Sequence, residues 1–164
     1  MRGRRGGVAV LPQDIPLDVV EQVIAYVKSR HTLYETPITV SSHNTIGDAL
    51  GLIHKRAHGV LVIVDDEGRP IGIFAERDAV GFDRFTQLQN VMTRDLVLVD
   101  AGASLEKIFE LLNEHRLHAA PVVGADGRLV GVVTRRGALR STIYRPAVNG
   151  RGELMSAVAV GISG

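Results

Sequence analysis

The sequence contains no cysteine among its 164 residues. Disulfides, thiolate zinc sites, iron–sulfur clusters and a cysteine nucleophile are therefore excluded from these residues. Tryptophan is also absent, and four Phe and three Tyr are the only aromatic side chains. So few aromatics argue against a stacking platform for single-stranded nucleic acid.

Long apolar runs and a strong net charge are missing as well. Runs such as Val60–Val64 are far shorter than the roughly 20 residues needed to cross a bilayer, and no apolar signal-peptide core follows the N-terminal arginines. Nineteen Lys+Arg against eighteen Asp+Glu leave a net charge of +1, which provides no overall field to attract nucleic acid or an anionic membrane. Arg2, Arg4 and Arg5 are a local exception that gives little support for DNA binding. We therefore expect a cytoplasmic protein with neither a nucleic-acid nor a membrane partner.

An internal repeat organises the middle of the chain. Thr36–Val80 aligns with Asp95–Leu139 at a shift of 59 residues without a gap, so that Gly72 coincides with Gly131. The residue pattern of each copy predicts the element series β-α-β-β-α. A unit of this size is too small to bury its own apolar faces. The two copies are therefore expected to pack together about a pseudo-two-fold axis.

The elements of each copy follow from local patterns. Apolar residues with helical spacing predict one helix per copy, at Ile46, Ala49, Leu50 and Ile53 and at Leu105, Ile108, Phe109 and Leu112. Thr45 with Asp48 predicts a capping box for the first helix, and Ser104 an N-cap for the second. Branched residues around Asp/Gly turns predict strands and hairpins, at Pro37–Val40, Val60–Val64 and Pro70–Phe74 and at Leu96–Val99, Ala119–Val123 and Leu129–Val133.

Three motifs in the repeat are typical of one known family. Val91-Met92-Thr93-Arg94-Asp95, Ala120-Pro121-Val122-Val123 and Gly131-Val132-Val133-Thr134 together resemble a tandem CBS pair, the Bateman module, over roughly residues 36–142. The resemblance implies an α/β (α+β) fold with a first CBS motif and connector at 36–90 and a second CBS motif at 91–142.

The flanking segments resemble parts of a (β/α)8 barrel. Gly6–Leu11 is similar to the barrel strand that enters a CBS insertion in the IMP dehydrogenase/GMP reductase family, and Ala157–Gly161 to the strand that follows it. The sequence of Leu11–Pro16 is more similar to the GMP reductase branch of this family than to the IMP dehydrogenases. Residues 1–35 are then a barrel-derived strand stub and helix, whose apolar face holds Val20, Val23, Ile24 and Val27, and residues 143–164 are a barrel-derived linker and strand stub. Without barrel neighbours, we expect the two stubs to pair with each other, to pack in an oligomer or to fray.

The resemblance also implies a function. The family's catalytic cysteine loop and phosphate-binding glycine loops are not among these residues, which implies a non-catalytic regulatory module with no cofactor, no metal and no catalytic residue of its own. Its implied ligand is a purine nucleotide such as ATP or GTP, and its implied partners are its own catalytic barrel and a second copy in a homodimer. The alternative is a structural oligomerisation module with degenerate nucleotide sites. An independent enzyme is discouraged because no nucleophile–base or metal constellation is evident.

Nucleotide-binding CBS pairs carry a Gly-x-x-Thr/Ser-x-x-Asp motif, which the two copies divide between them. Gly72–Asp78 keeps the Asp but has Ala75 in place of Thr, whereas Gly131–Gly137 keeps Thr134 and lacks the Asp. The resemblance implies that Asp78 contacts the ribose and that Thr134 contacts the phosphates together with Arg135 and Arg136. The full set of implied nucleotide-contacting residues is Ile38, Thr39, Val40, His58, Val60, Arg77, Asp78, Leu98, Ala119, Ala120, Pro121, Thr134, Arg135 and Arg136.

Simpler interpretations exist for several of these residues. Asp78 is also placed to act as a helix-end carboxylate, which stabilises the helix dipole by about 0.3–1 kcal/mol, and Thr134 as an N-cap. Arg77 and Arg136 occupy equivalent positions and fit solvated surface residues. His54 and His58 have the spacing of two metal ligands on a helix, but Gly59 indicates that the helix ends there, which favours helix-end and cleft-rim roles. A phosphate contact by His58 is the functional alternative.

Overall fold

The protein is described from a computed structural model that covers residues 7–28, 31–56 and 58–159. Two compact units are present. One is Glu35–Arg135, which contains nearly the whole repeat, and the other combines the segment before Glu35 with the segment after Arg135. Within the described residues, no helix is both long and apolar enough to cross a membrane.

The predicted element series is confirmed in both copies of the repeat. The first copy consists of β2 (Thr39–Val40), α2 (Ile46–Ile53), β3 (Val60–Val64), β4 (Pro70–Ala75) and a 3-10 turn (Glu76–Ala79). The second copy consists of β5 (Val99–Asp100), α3 (Leu105–Glu114), β6 (Ala119–Val123), β7 (Leu129–Thr134) and α4 (Arg135–Ile143). Each copy forms a three-stranded sheet, in the order β2-β3-β4 or β5-β6-β7.

The strand register is the same in the two sheets. Val40 lies opposite Ile63 on a parallel neighbour, and Val99 lies opposite Val122 in the same way. Each hairpin also has a register shift at the equivalent place, after Ile63 in the first copy and after Val122 in the second. The gapless shift of 59 residues in the sequence therefore reproduces the pairing of the strands as well as their order.

Three strands end one residue later than predicted, at Ala75, Asp100 and Thr134, and larger differences concern three elements. The first parallel strand begins at Thr39 rather than at Pro37, whose nitrogen carries no hydrogen for a ladder bond. The second begins at Val99 rather than at Leu96. The closing helix of the first copy is a single 3-10 turn, because Gly81, with φ +87°, turns the chain away. The second copy has Arg140 at the equivalent position, and α4 continues to Ile143.

The two copies exchange the short segments that lead into them. Glu35, ahead of the first copy, pairs with Val132 on β7 of the second copy through two backbone hydrogen bonds of 2.7 and 2.9 Å. Thr93, ahead of the second copy, pairs with Ile73 on β4 of the first copy through two bonds of 3.0 Å. The pairing is reciprocal, as a pseudo-two-fold relation between the copies predicts, with an offset of one residue because the equivalent of Glu35 is Arg94.

Apolar contacts join the copies at the same place. Val62 of β3 forms a buried cluster with Ala119 and Val132 of the second copy. The larger core cluster belongs to the first copy and consists of Val40, Ile46, Ala49, Ile53, Leu61, Ile63, Phe74, Leu88 and Met92. Val60 and Val64, at the two ends of β3, pack against this joining cluster together with Leu129.

The flanking unit contains a short parallel sheet. β1 (Ala9–Leu11) pairs with β8 (Ser156–Val158), and Leu11 accepts a further hydrogen bond from the Ala159 N–H at 2.8 Å. The expectation that the two stubs pair with each other is therefore confirmed; Gly6, Val160 and Gly161 lie outside the described residues. Helix α1 (Leu17–Lys28) carries Val20 on its buried side, as its apolar spacing predicts.

Both predicted helix caps are present. The Thr45 hydroxyl accepts from the Asp48 N–H at 3.2 Å, and the Asp48 carboxylate accepts from the Thr45 N–H at 3.0 Å, which completes a capping box for α2. The Ser104 hydroxyl accepts from the Lys107 N–H at 3.3 Å and caps α3. Hydrogen bonds from the Thr45 backbone and hydroxyl hold the pKa of Asp48 below its usual value of 3.8.

The capping box predicts an acid dependence of stability. Because the folded state lowers the pKa of Asp48, its contribution is fully present above pH 3.8 and declines as the pH falls through the folded-state pKa. Below that pH, we expect the unfolding free energy of the Asp48→Asn variant to decrease less steeply with falling pH than that of the original chain. Urea unfolding between about pH 2 and 6 measures both. Asp66→Asn, at an exposed hairpin turn, is the matched control; an equal flattening in both variants would contradict the assignment to the cap.

A second prediction concerns Gly72 in the middle of β4. A Cβ at this position would lie 2.9 Å from Cγ of the buried Met92 and closer still to its sulfur. We expect Gly72→Ala to cost about 1–3 kcal/mol of unfolding free energy through overpacking. Met92→Ala should relieve part of that cost, so that the double variant is more stable than the sum of the single effects predicts.

Gly51→Ala is the control for the glycine substitution. Gly51 lies in α2 with nothing within 4 Å of its missing Cβ, so alanine should stabilise the helix by about 0.5–1 kcal/mol. Urea unfolding of the four variants measures the whole set. Strict additivity of Gly72→Ala and Met92→Ala would show that contact with Met92 is not the reason for the glycine.

Candidate functional site

A cleft of about 450 Å³ opens between the two copies inside the Glu35–Arg135 unit. The first copy contributes the start of β3, the end of β4 and the 3-10 turn. The second contributes the exchanged segment before β5 and the connection from α3 to β6. The lining residues are His58, Gly59, Val60, Ile73, Ala75, Glu76, Arg77, Asp78, Thr93, Asp95, Leu96, Val97, Arg116, Leu117, His118, Ala119 and Pro121. A volume of this size is typical of a small-molecule site.

Asp78 is an acidic residue of the cleft whose carboxylate is held by a backbone hydrogen bond. Its Oδ2 accepts a hydrogen bond of 2.8 Å from the Ala75 N–H, and its Oδ1 lies 3.7 Å from Nε of Arg77. The Asp78 side chain is 20% exposed, whereas that of Arg77 is 79% exposed. The helix-end interaction weighed for Asp78 is thus present, and the same carboxylate also lines the cleft. Contact with a ribose stays a prediction.

The cleft is lined by both apolar and charged residues. Val60, Ile73, Leu96, Val97, Ala119 and Pro121 supply the apolar surface. Glu76, Asp78 and Asp95 supply carboxylates, and Arg77 and Arg116 supply guanidinium groups. Such a mixture binds a ligand with an apolar face and a few polar groups. No cluster of three or more metal-ligating side chains occurs within residues 7–28, 31–56 and 58–159.

His58 is held in the cleft wall by backbone groups on both sides of its ring. Its Nδ1 lies 3.4 Å from the Val60 N–H, and its Nε2 lies 3.2 Å from the Thr36 carbonyl oxygen. A backbone N–H can only donate and a carbonyl can only accept, so the pattern requires a neutral ring with hydrogen on Nε2. Helix α2 ends at Ile53, before this histidine. The geometry therefore favours the cleft-rim role over a phosphate contact.

The arrangement around His58 predicts its tautomer. At about pH 8, ¹⁵N NMR of the imidazole ring should show His58 as the tautomer with hydrogen on Nε2 and none on Nδ1. Exposed His54 is the internal control and should show both tautomers in exchange. Hydrogen on Nδ1 of His58 would be incompatible with the two backbone contacts.

The structure brings only part of the predicted site together. Of the predicted residues, those that line the cleft are His58, Val60, Arg77, Asp78, Ala119 and Pro121. Ala120 alternates to the other face of β6 and is fully buried, and Val40 belongs to the first copy's core cluster. Ile38 packs against that same cluster, while Thr39 is exposed beside it. Leu98 lines a separate groove together with Lys107 and Leu111.

The equivalent position in the second copy is arranged differently. Thr134 is 8% exposed and directly precedes α4, the position that the N-cap alternative assigns to it. The Arg135 side chain donates to Oδ1 of Asn113 at 2.9 Å. Arg136 belongs to the flanking unit. These three side chains are not among the lining of the cleft that contains Asp78.

Sequence reasoning missed most of the second copy's contribution. Thr93, Asp95, Leu96 and Val97 line the cleft because their segment is exchanged onto the first copy. The signal available was the repeat itself, since Val97 is the equivalent of Ile38, which the family resemblance had implied. Leu117 carried the same signal as the equivalent of His58, whereas Arg116 and His118 carried no comparable signal.

Comparison with known proteins identifies the class. The CBS domain family model matches residues 33–83 and 88–143, so the chain belongs to the CBS-domain family and contains a tandem pair. It is 46% identical over 161 residues to GMP reductase from Mycobacterium tuberculosis, covering 98% of this chain and 33% of that relative. It is 30% identical to inosine-5'-monophosphate dehydrogenase from Methanocaldococcus jannaschii, covering 96% of this chain and 32% of that relative. The chain thus spans about a third of the length of these curated relatives.

A solved structure agrees with the fold. GMP reductase from Trypanosoma brucei in complex with guanosine 5'-triphosphate matches with a TM-score of 0.73 at 24% identity, over 98% of this chain and 41% of that chain. The predicted resemblance to the CBS region of GMP reductases and IMP dehydrogenases is confirmed. The higher identity to the GMP reductase agrees with the branch indicated by Leu11–Pro16.

Proposed function

We propose that this chain is a non-catalytic regulatory module that binds a purine nucleoside triphosphate, GTP or ATP, in the cleft that contains Asp78. The observation that carries the proposal is the Asp78 carboxylate, oriented by the Ala75 N–H within an apolar-walled cleft. The GTP complex of the T. brucei GMP reductase, a protein with the same fold, supports the ligand class. No cofactor is proposed.

The chemistry of the cleft suits a nucleoside. A carboxylate can accept hydrogen bonds from both hydroxyls of a ribose. Oδ2 of Asp78 is bonded to the Ala75 N–H, whereas Oδ1 faces the exposed Arg77 at 3.7 Å, a distance that leaves Oδ1 able to accept from a ribose hydroxyl. The apolar walls exclude water around a purine base and strengthen the few polar contacts. Only the first copy carries an Asp at this position of the motif, which favours one nucleotide per chain.

Regulation follows from the position of the cleft between the copies. A bound nucleotide would touch the first copy at Ala75–Asp78 and the second at Thr93–Val97. It therefore favours the arrangement of the copies in which both sets of contacts can form. We propose that this preference controls a catalytic barrel of the GMP reductase or IMP dehydrogenase type in the parent protein. A homodimer of modules in the cytoplasm is the expected setting.

A structural oligomerisation module is the second candidate. The divided motif favours it, because Ala75 lacks the hydroxyl and Gly137 the carboxylate that a complete pair of sites would have. Sedimentation velocity discriminates the two candidates. A dimer whose sedimentation is the same with and without GTP or ATP, together with no detectable nucleotide binding, would favour the structural role.

Calorimetric titration tests nucleotide binding directly. We expect GTP or ATP to bind with a stoichiometry near one, and Asp78→Ala to weaken binding by about tenfold or more, since hydrogen bonds to a charged group contribute about 1.5–3 kcal/mol. Asp78→Asn keeps an acceptor for the Ala75 N–H and should fall between the two.

Asp66→Ala is the matched control for the titration. It removes an exposed carboxylate from the first hairpin turn, outside the cleft, and should leave binding unchanged. Melting temperatures of all variants show whether the fold is intact. Failure of the original chain to bind GTP, ATP or AMP would eliminate the sensing function for this module.

A further inference from the structure

Arg116 has an unusual backbone conformation beside the cleft. Its φ is +51°, and it is the only residue other than glycine with a positive φ in the described part of the chain. An L-residue in this left-handed region is strained, and glycine is the residue that adopts it without strain.

The strain arises from the way in which α3 ends. After the His115 cap, the Arg116 N–H donates to the Asn113 carbonyl at 3.1 Å and the Leu117 N–H donates to the Leu112 carbonyl at 2.8 Å. These two bonds define a Schellman motif, in which the left-handed position is usually glycine. An arginine in that position calls for a reason other than helix termination.

The guanidinium group of Arg116 is available to a ligand. Within the described residues it has no ion-pair or hydrogen-bond partner, whereas Arg77, the other guanidinium of the cleft, lies 3.7 Å from Asp78. Three carboxylates also line this cleft. A polyanionic ligand that enters needs a cation not already committed to one of them.

We propose that Arg116 binds the phosphates of the nucleotide, and that the strained helix end serves to hold its guanidinium at the cleft. The inference rests on the proposed nucleotide function. It assigns the phosphate contact to the second copy, opposite the Asp78 carboxylate of the first. Guanidinium suits this role because its planar set of donors bonds two phosphate oxygens at once.

Arg116→Gly separates the two demands on this residue. Glycine relieves the strain, so the melting temperature should rise by about 2–4 °C, while the loss of the guanidinium should weaken GTP binding by about tenfold. Calorimetry with guanosine, GMP, GDP and GTP should show a loss that grows with the number of phosphates and is absent for guanosine. Arg116→Lys should keep part of the GTP affinity.

Arg128→Ala controls for the removal of one positive charge, because Arg128 lies in the second hairpin and outside the cleft lining. Equal GTP affinity in Arg116→Gly and the original chain would overturn the phosphate assignment while leaving the proposed nucleotide function intact. A melting temperature that falls in Arg116→Gly would overturn the strain argument, and the phosphate series with Arg116→Lys would then decide the contact. An original chain that binds none of the four ligands, nor ATP, would overturn both.

Discussion

The exchange of entry segments between the two copies is the constraint on which the rest of the structure depends. Glu35 pairs with Val132 and Thr93 pairs with Ile73, each through two backbone hydrogen bonds. Each sheet has only three strands, and the parallel strand of each is just two residues long. Because each copy completes the edge of the other, they form one unit, and the segment Thr93–Val97 is placed against the end of β4. The cleft exists because of that placement.

The features that could be predicted from the sequence depend on short stretches of chain. Alternating branched residues beside Asp/Gly turns specify each hairpin, and Thr45 and Ser104 begin the two helices by bonding to residues three positions away. Comparison of the copies then supplied the element series and the family. Pairing of Glu35 with a residue about a hundred positions later has no local signature. The residues that reach the cleft through this exchange, Thr93, Asp95, Leu96 and Val97, were therefore among those missed.

Individual side chains of the site show the same limit. The Ala119–Pro121 segment was predicted as a nucleotide-contacting block, but a strand presents alternate residues to opposite faces. Ala119 and Pro121 reach the cleft, whereas Ala120 is buried in the core. Asp78, which the family motif implied, lines the cleft because the turn after β4 places it three residues beyond Ala75, within hydrogen-bond distance of that N–H.

Small departures from the repeat make the two sides of the pair unequal. Asp78 of the first copy corresponds to Gly137 of the second. His58, whose ring contacts the backbone of Thr36 and Val60, corresponds to Leu117, whose side chain has no polar atom. The carboxylate that we propose contacts a ribose therefore lies on the first copy, and the guanidinium of Arg116 lies on the second. If the proposed roles hold, ribose and phosphates of one nucleotide contact opposite copies. The affinity of the module for the nucleotide then depends on the distance between the copies. Binding therefore favours one distance, and this preference is what allows binding to shift the conformation of a domain attached to the module.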